Sequence, residues 1–151
     1  MSDTEYEDWQ RSVPDAIRGD LLWQLTAYRR GLFLADLGWG DVRPLLGEPL
    51  ARSLADQLVR SAGSISANIA EGYGRSSPRD RTRFYEYALG SSRETRDWYY
   101  KLRHSLGDPL VSARIELLTT ITRLLLGLIS AQRRSEIRED SPVYYVPGED
   151  G

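Results

Sequence analysis

The 151-residue chain contains no cysteine, one histidine and, among its twenty basic residues, one lysine. The missing thiols exclude a disulfide framework, a thiolate zinc site, an iron-sulfur cluster and a cysteine nucleophile. One imidazole, on His104, excludes a site built on two, whether zinc on several histidines or a paired Glu-x-x-His di-iron centre. An uninterrupted apolar run is missing as well. The longest candidate, Leu110 to Ala131, carries Arg114, Glu116 and Arg123, which a membrane span tolerates poorly. The start MSDTEYEDW is acidic and lacks the basic-then-apolar order of a secretory signal, so the expected location is the cytoplasm, with no membrane partner. At 40% apolar and 28% charged, the composition also excludes collagen-like, low-complexity and disordered classes and fits one soluble domain.

What is present is unevenly distributed. The formal net charge is −2, yet residues 1–20 and 136–151 each carry −4 and the section between them carries +6. Nineteen of the twenty basic residues are Arg, whose planar fork suits phosphate and carboxylate. The charge pattern divides the chain into an acidic, flexible lead-in (1–19), a helical body (20–135) and an acidic tail (136–151).

The body reads as four helices. The first starts near the N-cap Asp20, with apolar positions Leu21, Leu25, Tyr28, Leu32 and Ala35 and a stop at Gly38, followed by a Gly- and Pro-rich connection. Pro49, Pro78 and Pro109 each fit the first helical position, where the absent N–H is no loss. The second helix, about 49–71, places Leu54, Leu58, Ala62, Ile65 and Ile69 on its core face. The third, about 78–106, places Phe84, Ala88, Ser91, Thr95, Trp98 and Leu102 there, after a Ser77 cap. The fourth, about 109–133, carries one stripe at Val111, Ile115, Leu118, Leu125 and Ile129, and a second at Leu110, Leu117, Ile121, Leu124 and Leu128. One inward face does not accommodate both stripes. The second therefore needs another subunit, which makes these five residues oligomer-interface candidates, or a docked segment such as the N-terminus or the Gly-Trp-Gly stretch. Residues 143–146 of the tail suit a short extended segment. The fold class is all-α, an antiparallel up-and-down four-helix bundle.

Three features bear on function. Residues 61–70 are rich in Ser, Ala and Gly, as is the run 88–92 on the next helix, so the two are expected to pack closely. Ser64, Asn68 and Glu71 on one helix, with Ser91 and Glu94 on the other, then form a polar seam. Glu71 and Glu94 also suit carboxylate acid-base or metal work, but without a histidine ligand or third acid they fit better as helix anchors paired with Arg; no catalytic residue, metal or cofactor is assigned. Glu71-Gly72-Tyr73-Gly74-Arg75 follows a helix rather than a strand and matches no phosphate-loop pattern, so Gly72 reads as a left-handed helix end. The third feature is basic. Arg75, Arg79, Arg81, Arg83, Arg93, Arg96 and Arg103 lie among Tyr73, Tyr85, Tyr87, Trp98, Tyr99 and Tyr100, a mixture that grips phosphates and stacks on bases, or equally one that pairs with acids and packs in a core.

The stretches RSAGSISANIAEGYGR (60–75) and FYEYALGSSRE (84–94) resemble the 23S rRNA intervening-sequence family of four-helix-bundle proteins, to which the accessory variability determinant of diversity-generating retroelements is related. The clear resemblance spans about residues 57–103. It implies an antiparallel four-helix bundle closing as a homo-oligomeric ring, a pentamer, without enzymatic activity. It also implies RNA or DNA on a basic surface and a reverse transcriptase as partner. The signature positions map onto Ser64, Asn68, Glu71, Gly72, Arg75, Gly90, Ser91 and Glu94. The pI of about 5.5 departs from the strongly basic retroelement relative. The functional expectation is a non-enzymatic nucleic-acid-binding oligomer, with a protein-interaction scaffold as the alternative.

Overall fold

The structure, a computed structural model, describes residues 3–140. Seven α-helices and no strand occur among them: α1 (Asp3–Ser12), α2 (Asp15–Arg18), α3 (Thr26–Val42), α4 (Pro49–Tyr73), α5 (Pro78–Lys101), α6 (Arg103–Leu106) and α7 (Asp108–Asp140), with 3-10 turns at Leu21–Gln24 and Arg43–Gly47. The all-α class holds, while the number of helices exceeds the four expected. The four longest, α3, α4, α5 and α7, contact one another in a closed cycle: α4 packs on α5, α5 on α7, α7 on α3 and α3 on α4. Their common core includes Leu34, Leu58, Ile65, Ile69, Ala88, Tyr99, Leu118, Ile121 and Leu125.

Local chemistry starts the helices where the sequence places them. Pro49 and Pro78 stand at first positions, and the Ser77 hydroxyl accepts the Asp80 N–H at 3.1 Å. Asp20 is also a cap, accepting from the Leu22 N–H at 2.8 Å, but it caps the short 3-10 turn, and the α-helix begins only at Thr26. Gly38 is not a stop. It is buried inside α3, where a Cβ would lie 3.3 Å from Leu58 Cδ2 and 3.5 Å from the Tyr99 hydroxyl, so the absent side chain leaves room for the close packing of α3 on α4. The expected Gly-Trp-Gly connection is therefore helix through Val42.

Further differences from the sequence expectation lie in the packing. The buried face of α5 keeps the expected Ala88, Thr95 and Leu102, but its other members are shifted by one residue: Tyr85, Ser92 and Tyr99 are buried, while Phe84, Ser91 and Trp98 are half-buried. Tyr99 goes inside because its ring fills the core while its hydroxyl donates to Asp41. The second stripe of α7 is used within the subunit. Leu117 and Ile121 are buried, and Leu110, Leu124 and Leu128 pack against the core, Leu124 and Leu128 facing Leu25 and Ala27 at the start of α3. The start of α3 thus lies against part of the stripe, while Leu110, Leu124 and Leu128 remain half-buried. The lead-in is helical and docked: α1 lays Tyr6 and Trp9 on Phe33, with ring centroids 5.2 and 5.0 Å apart, and the Trp9 indole donates to Asp36 at 2.7 Å. Helix α7 continues to Asp140, past the expected body limit at 135; the extended segment expected at 143–146 lies outside the described residues. By length and mean hydropathy α7 would suffice to span a membrane. Its Val111, Leu118, Leu125 and Ile129 are instead buried against the other helices.

Candidate nucleic-acid interface

The expected polar seam separates into local bonds. The Ser64 hydroxyl donates to the Arg60 carbonyl, Asn68 Nδ2 to the Ser64 carbonyl, and Glu94 accepts the Trp98 indole, all along their own helices. Glu71 pairs with Arg75 one turn on, and Gly90 is exposed with open space around it. The bonds that cross between helices lie on the neighbouring positions. Thr95 donates to Ser61 at 2.9 Å between α5 and α4, and Ser92 meets Thr122 of α7 at 3.1 Å. Gly72 is no left-handed terminus: it lies buried inside α4, where a Cβ would come within 2.9 Å of Phe84 and Tyr85. Close approach of α5, not positive φ, fixes that glycine. Among the described residues, no group of three or more His, Asp or Glu side chains converges.

The arginine-rich stretch divides in two. At the start of α5 the cations are engaged. Arg75 pairs with Glu71 and lies over the Phe84 ring; Arg83 reaches Asp80 at 3.6 Å and flanks the same ring. Arg81 is half-buried and donates to the carbonyls of Arg75 at 2.7 Å and Ser76 at 3.1 Å. It fastens the α4–α5 turn by supplying donors to otherwise open carbonyls. Arg79 remains exposed, beside Asp80, Glu86 and Glu136.

At the other end, Arg93, Arg96 and Tyr100 follow one another by three and four residues and share one side of α5. Together with Asp97 and Ile115 of α7 they line an open cleft of about 430 Å³. Neither Arg93 nor Arg96 makes an ion pair among the described residues, and the acid that lines the cleft with them, Asp97, is bound by Lys101 at 2.5 Å. The Arg103 guanidinium lies 4.1 Å from the centroid of the Tyr100 ring, and Nη1 donates to the Tyr100 carbonyl. His104 is exposed on α6.

Beneath this surface sits a cluster that sequence spacing does not reveal. Asp41 of α3 accepts from Arg114 of α7 through both oxygens, at 2.7 and 3.0 Å, and from the Tyr99 hydroxyl of α5 at 2.9 Å. The Arg114 and Asp41 side chains are 12% and 8% exposed. Burial, reinforced by the Asp41 carboxylate, raises the Tyr99 hydroxyl well above the usual tyrosine range, so it stays a donor. The cluster ties three helices together below the Tyr100 end of α5.

No curated protein matches the chain. A crystal structure of a protein of unknown function from the S23 ribosomal protein family of Bacteroides thetaiotaomicron VPI-5482 superimposes with a TM-score of 0.65 at 24% identity, covering 69% of this chain and 98% of that one. That likeness establishes the helical fold. Residues 48–124, from the cap of α4 through the middle of α7, match the 23S rRNA-intervening sequence protein family, and they contain α4, the α4–α5 turn that Arg81 fastens, and the whole arginine-rich stretch. The chain belongs to the 23S rRNA-intervening sequence protein family.

Proposed function

We propose that the protein is a non-enzymatic, cytoplasmic, homo-oligomeric helical bundle that binds RNA or DNA through arginines of α5, and that its four long helices are the bundle repeated around a ring. One observation carries this reading: Arg79, Arg93 and Arg96 hold their charge outward without an internal ion pair, whereas neighbouring arginines are neutralised. Free guanidinium groups on a helix surface bind phosphate by releasing counterions, which makes affinity steeply salt-dependent. The relation to retroelement accessory proteins supports a reverse transcriptase as a partner of such a complex. Fluorescence anisotropy of labelled RNA and DNA against the purified oligomer at several salt concentrations tests the reading. Combined Arg79→Ala, Arg93→Ala and Arg96→Ala should weaken binding and flatten the slope of log affinity against log salt; an unchanged slope would remove these arginines from the interface.

The scaffold reading is favoured by a different surface. Trp39, Leu46 and Leu50 are 63%, 58% and 92% exposed. Trp39 and Leu46 border a cleft of about 560 Å³ between the end of α3 and the start of α4. Large apolar groups clustered in the open suit protein contact, and a second copy of the chain is the partner that self-association supplies. Trp39→Glu with Leu46→Glu should then reduce the mass measured by light scattering to that of the monomer. An unchanged mass would assign the corner to another partner or to none.

A further inference from the structure

We propose that the Tyr100 end of α5 is a binding subsite for an unpaired nucleotide, in which a base stacks on Tyr100 and the adjoining phosphates lie on Arg96 and Arg93. This rests on the nucleic-acid reading above and goes beyond it by naming the substrate class, single-stranded RNA or DNA, and the residues that select it.

The geometry fits that class. Tyr100 is 55% exposed, far more than the neighbouring Tyr99, which lies fully inside. The Arg103 guanidinium already lies over the Tyr100 ring, which braces it for a planar group on its open side. Arg96 and Arg93 stand four and seven residues before Tyr100, about 6 and 10 Å back along the helix axis, in line with a strand running along α5. The acid in the cleft is occupied, because Lys101 holds the Asp97 carboxylate, and Ile115 gives the cleft an apolar wall. A base in a duplex has both faces covered by its neighbours, so a lone exposed ring cannot stack on it. An unpaired base offers its face at once, and stacking of this kind tolerates any sequence. The start of α5 has no equivalent, because its exposed aromatic Tyr87 meets the edge of Phe84, and Phe84 is flanked by two guanidinium groups that are themselves paired with acids.

The test is anisotropy with a labelled single-stranded oligouridylate and a labelled duplex of the same length, run on the oligomer carrying Tyr100→Ala or Tyr100→Phe. The ring is 55% exposed, so both variants should melt close to the parent, and circular dichroism verifies this. Tyr100→Ala should weaken oligouridylate binding by about 5- to 100-fold, Tyr100→Phe should keep it within about twofold, and neither should change duplex binding. Arg93→Ala and Arg96→Ala should each lower the single-strand salt slope by about 0.7. If the oligouridylate binds and Tyr100→Ala matches the parent, or if the duplex binds more tightly than the single strand, the subsite is overturned while nucleic-acid binding stands. If neither probe binds at low salt, the broader reading falls and the subsite with it.

Discussion

The two ends of α5 carry the same residue type to opposite outcomes. At the Pro78 end, Arg75, Arg81 and Arg83 are absorbed by Glu71, by carbonyls of the α4–α5 turn and by Asp80. At the Lys101 end, Arg93 and Arg96 face a cleft with their charge intact. Composition does not distinguish them. What distinguishes them is whether an acid three or four residues away is left free to pair, and whether open carbonyls of a turn lie within reach. Arg83 follows Asp80 by three and Arg75 follows Glu71 by four, spacings at which a salt bridge forms along a helix. Asp97 could have played that part for Arg93, but it pairs with Lys101 instead. A run of arginines is therefore not a patch, because its surface charge is what remains after internal pairing.

The comparison can be broken from beneath. The Lys101 end is anchored by Tyr99 to the Asp41–Arg114 pair, and Asp41→Ala would leave a buried guanidinium without its carboxylate. We expect a loss of about 3–5 kcal/mol, seen as a fall in Tm on the order of 10 °C in a chain of this size. A loss below about 1 kcal/mol would mean that solvent reaches the pair and that the anchor is nominal.

Alkaline unfolding sharpens the same point. Burial first, and the Asp41 charge second, keep the proton on Tyr99 at pH values where the unfolded chain releases it. The stability this hydroxyl provides is therefore complete below pH 10.0 and falls as the pH rises above it, by about 1.4 kcal/mol per pH unit for a single group. Urea titrations on either side of that pH should show the decline, and Tyr99→Phe should flatten it, leaving the contributions of Tyr85 and Tyr28, which burial also raises. A decline of equal slope in the variant would assign the alkaline transition to other groups.

The smallest effect separates two neighbours at the Pro78 end. Arg81→Ala removes the donors that close the turn and should cost about 1–2 kcal/mol, whereas Arg79→Ala should stay within about 0.5 kcal/mol of the parent. Equal melting temperatures for the two variants would show that the bonds to the Arg75 and Ser76 carbonyls are replaced by water without loss.

Legibility in the sequence followed the range of the interaction. The Ser77 cap, the prolines at 49 and 78 and the core stripe of α4 were readable because each depends on residues within a turn or two. On α5 the sequence places Ala88, Thr95 and Leu102 inside, as the structure does, but puts Phe84 and Trp98 ahead of Tyr85 and Tyr99, because hydrophobicity alone ranks them higher, while the fold rewards the Tyr99 ring whose hydroxyl meets Asp41. Gly38 reads as a stop in the sequence because a helical glycine declares its purpose only through what packs on it. The Asp41–Arg114 pair joins residues 73 apart, so no local pattern announces it. Of the candidate interface, the arginines were visible as a set, but their division into engaged and free members required the coordinates.

The attachment of α1 has a kinetic consequence. Its backbone comes near the other helices at few points, and it is held through Tyr6 and Trp9 against Phe33, with the Arg30 guanidinium 3.7 Å from the Tyr6 ring centroid. The Tyr6 hydroxyl and the Arg30 Nε, both buried, have no hydrogen-bond partner there. Detaching α1 therefore returns two buried polar atoms to water and leaves the four long helices in contact, an opening cheaper than global unfolding. Amide protons of residues 3–12 should exchange through that local route while those of α4 and α5 wait for the whole bundle, so the chain has two lifetimes, one for its strap and one for its body.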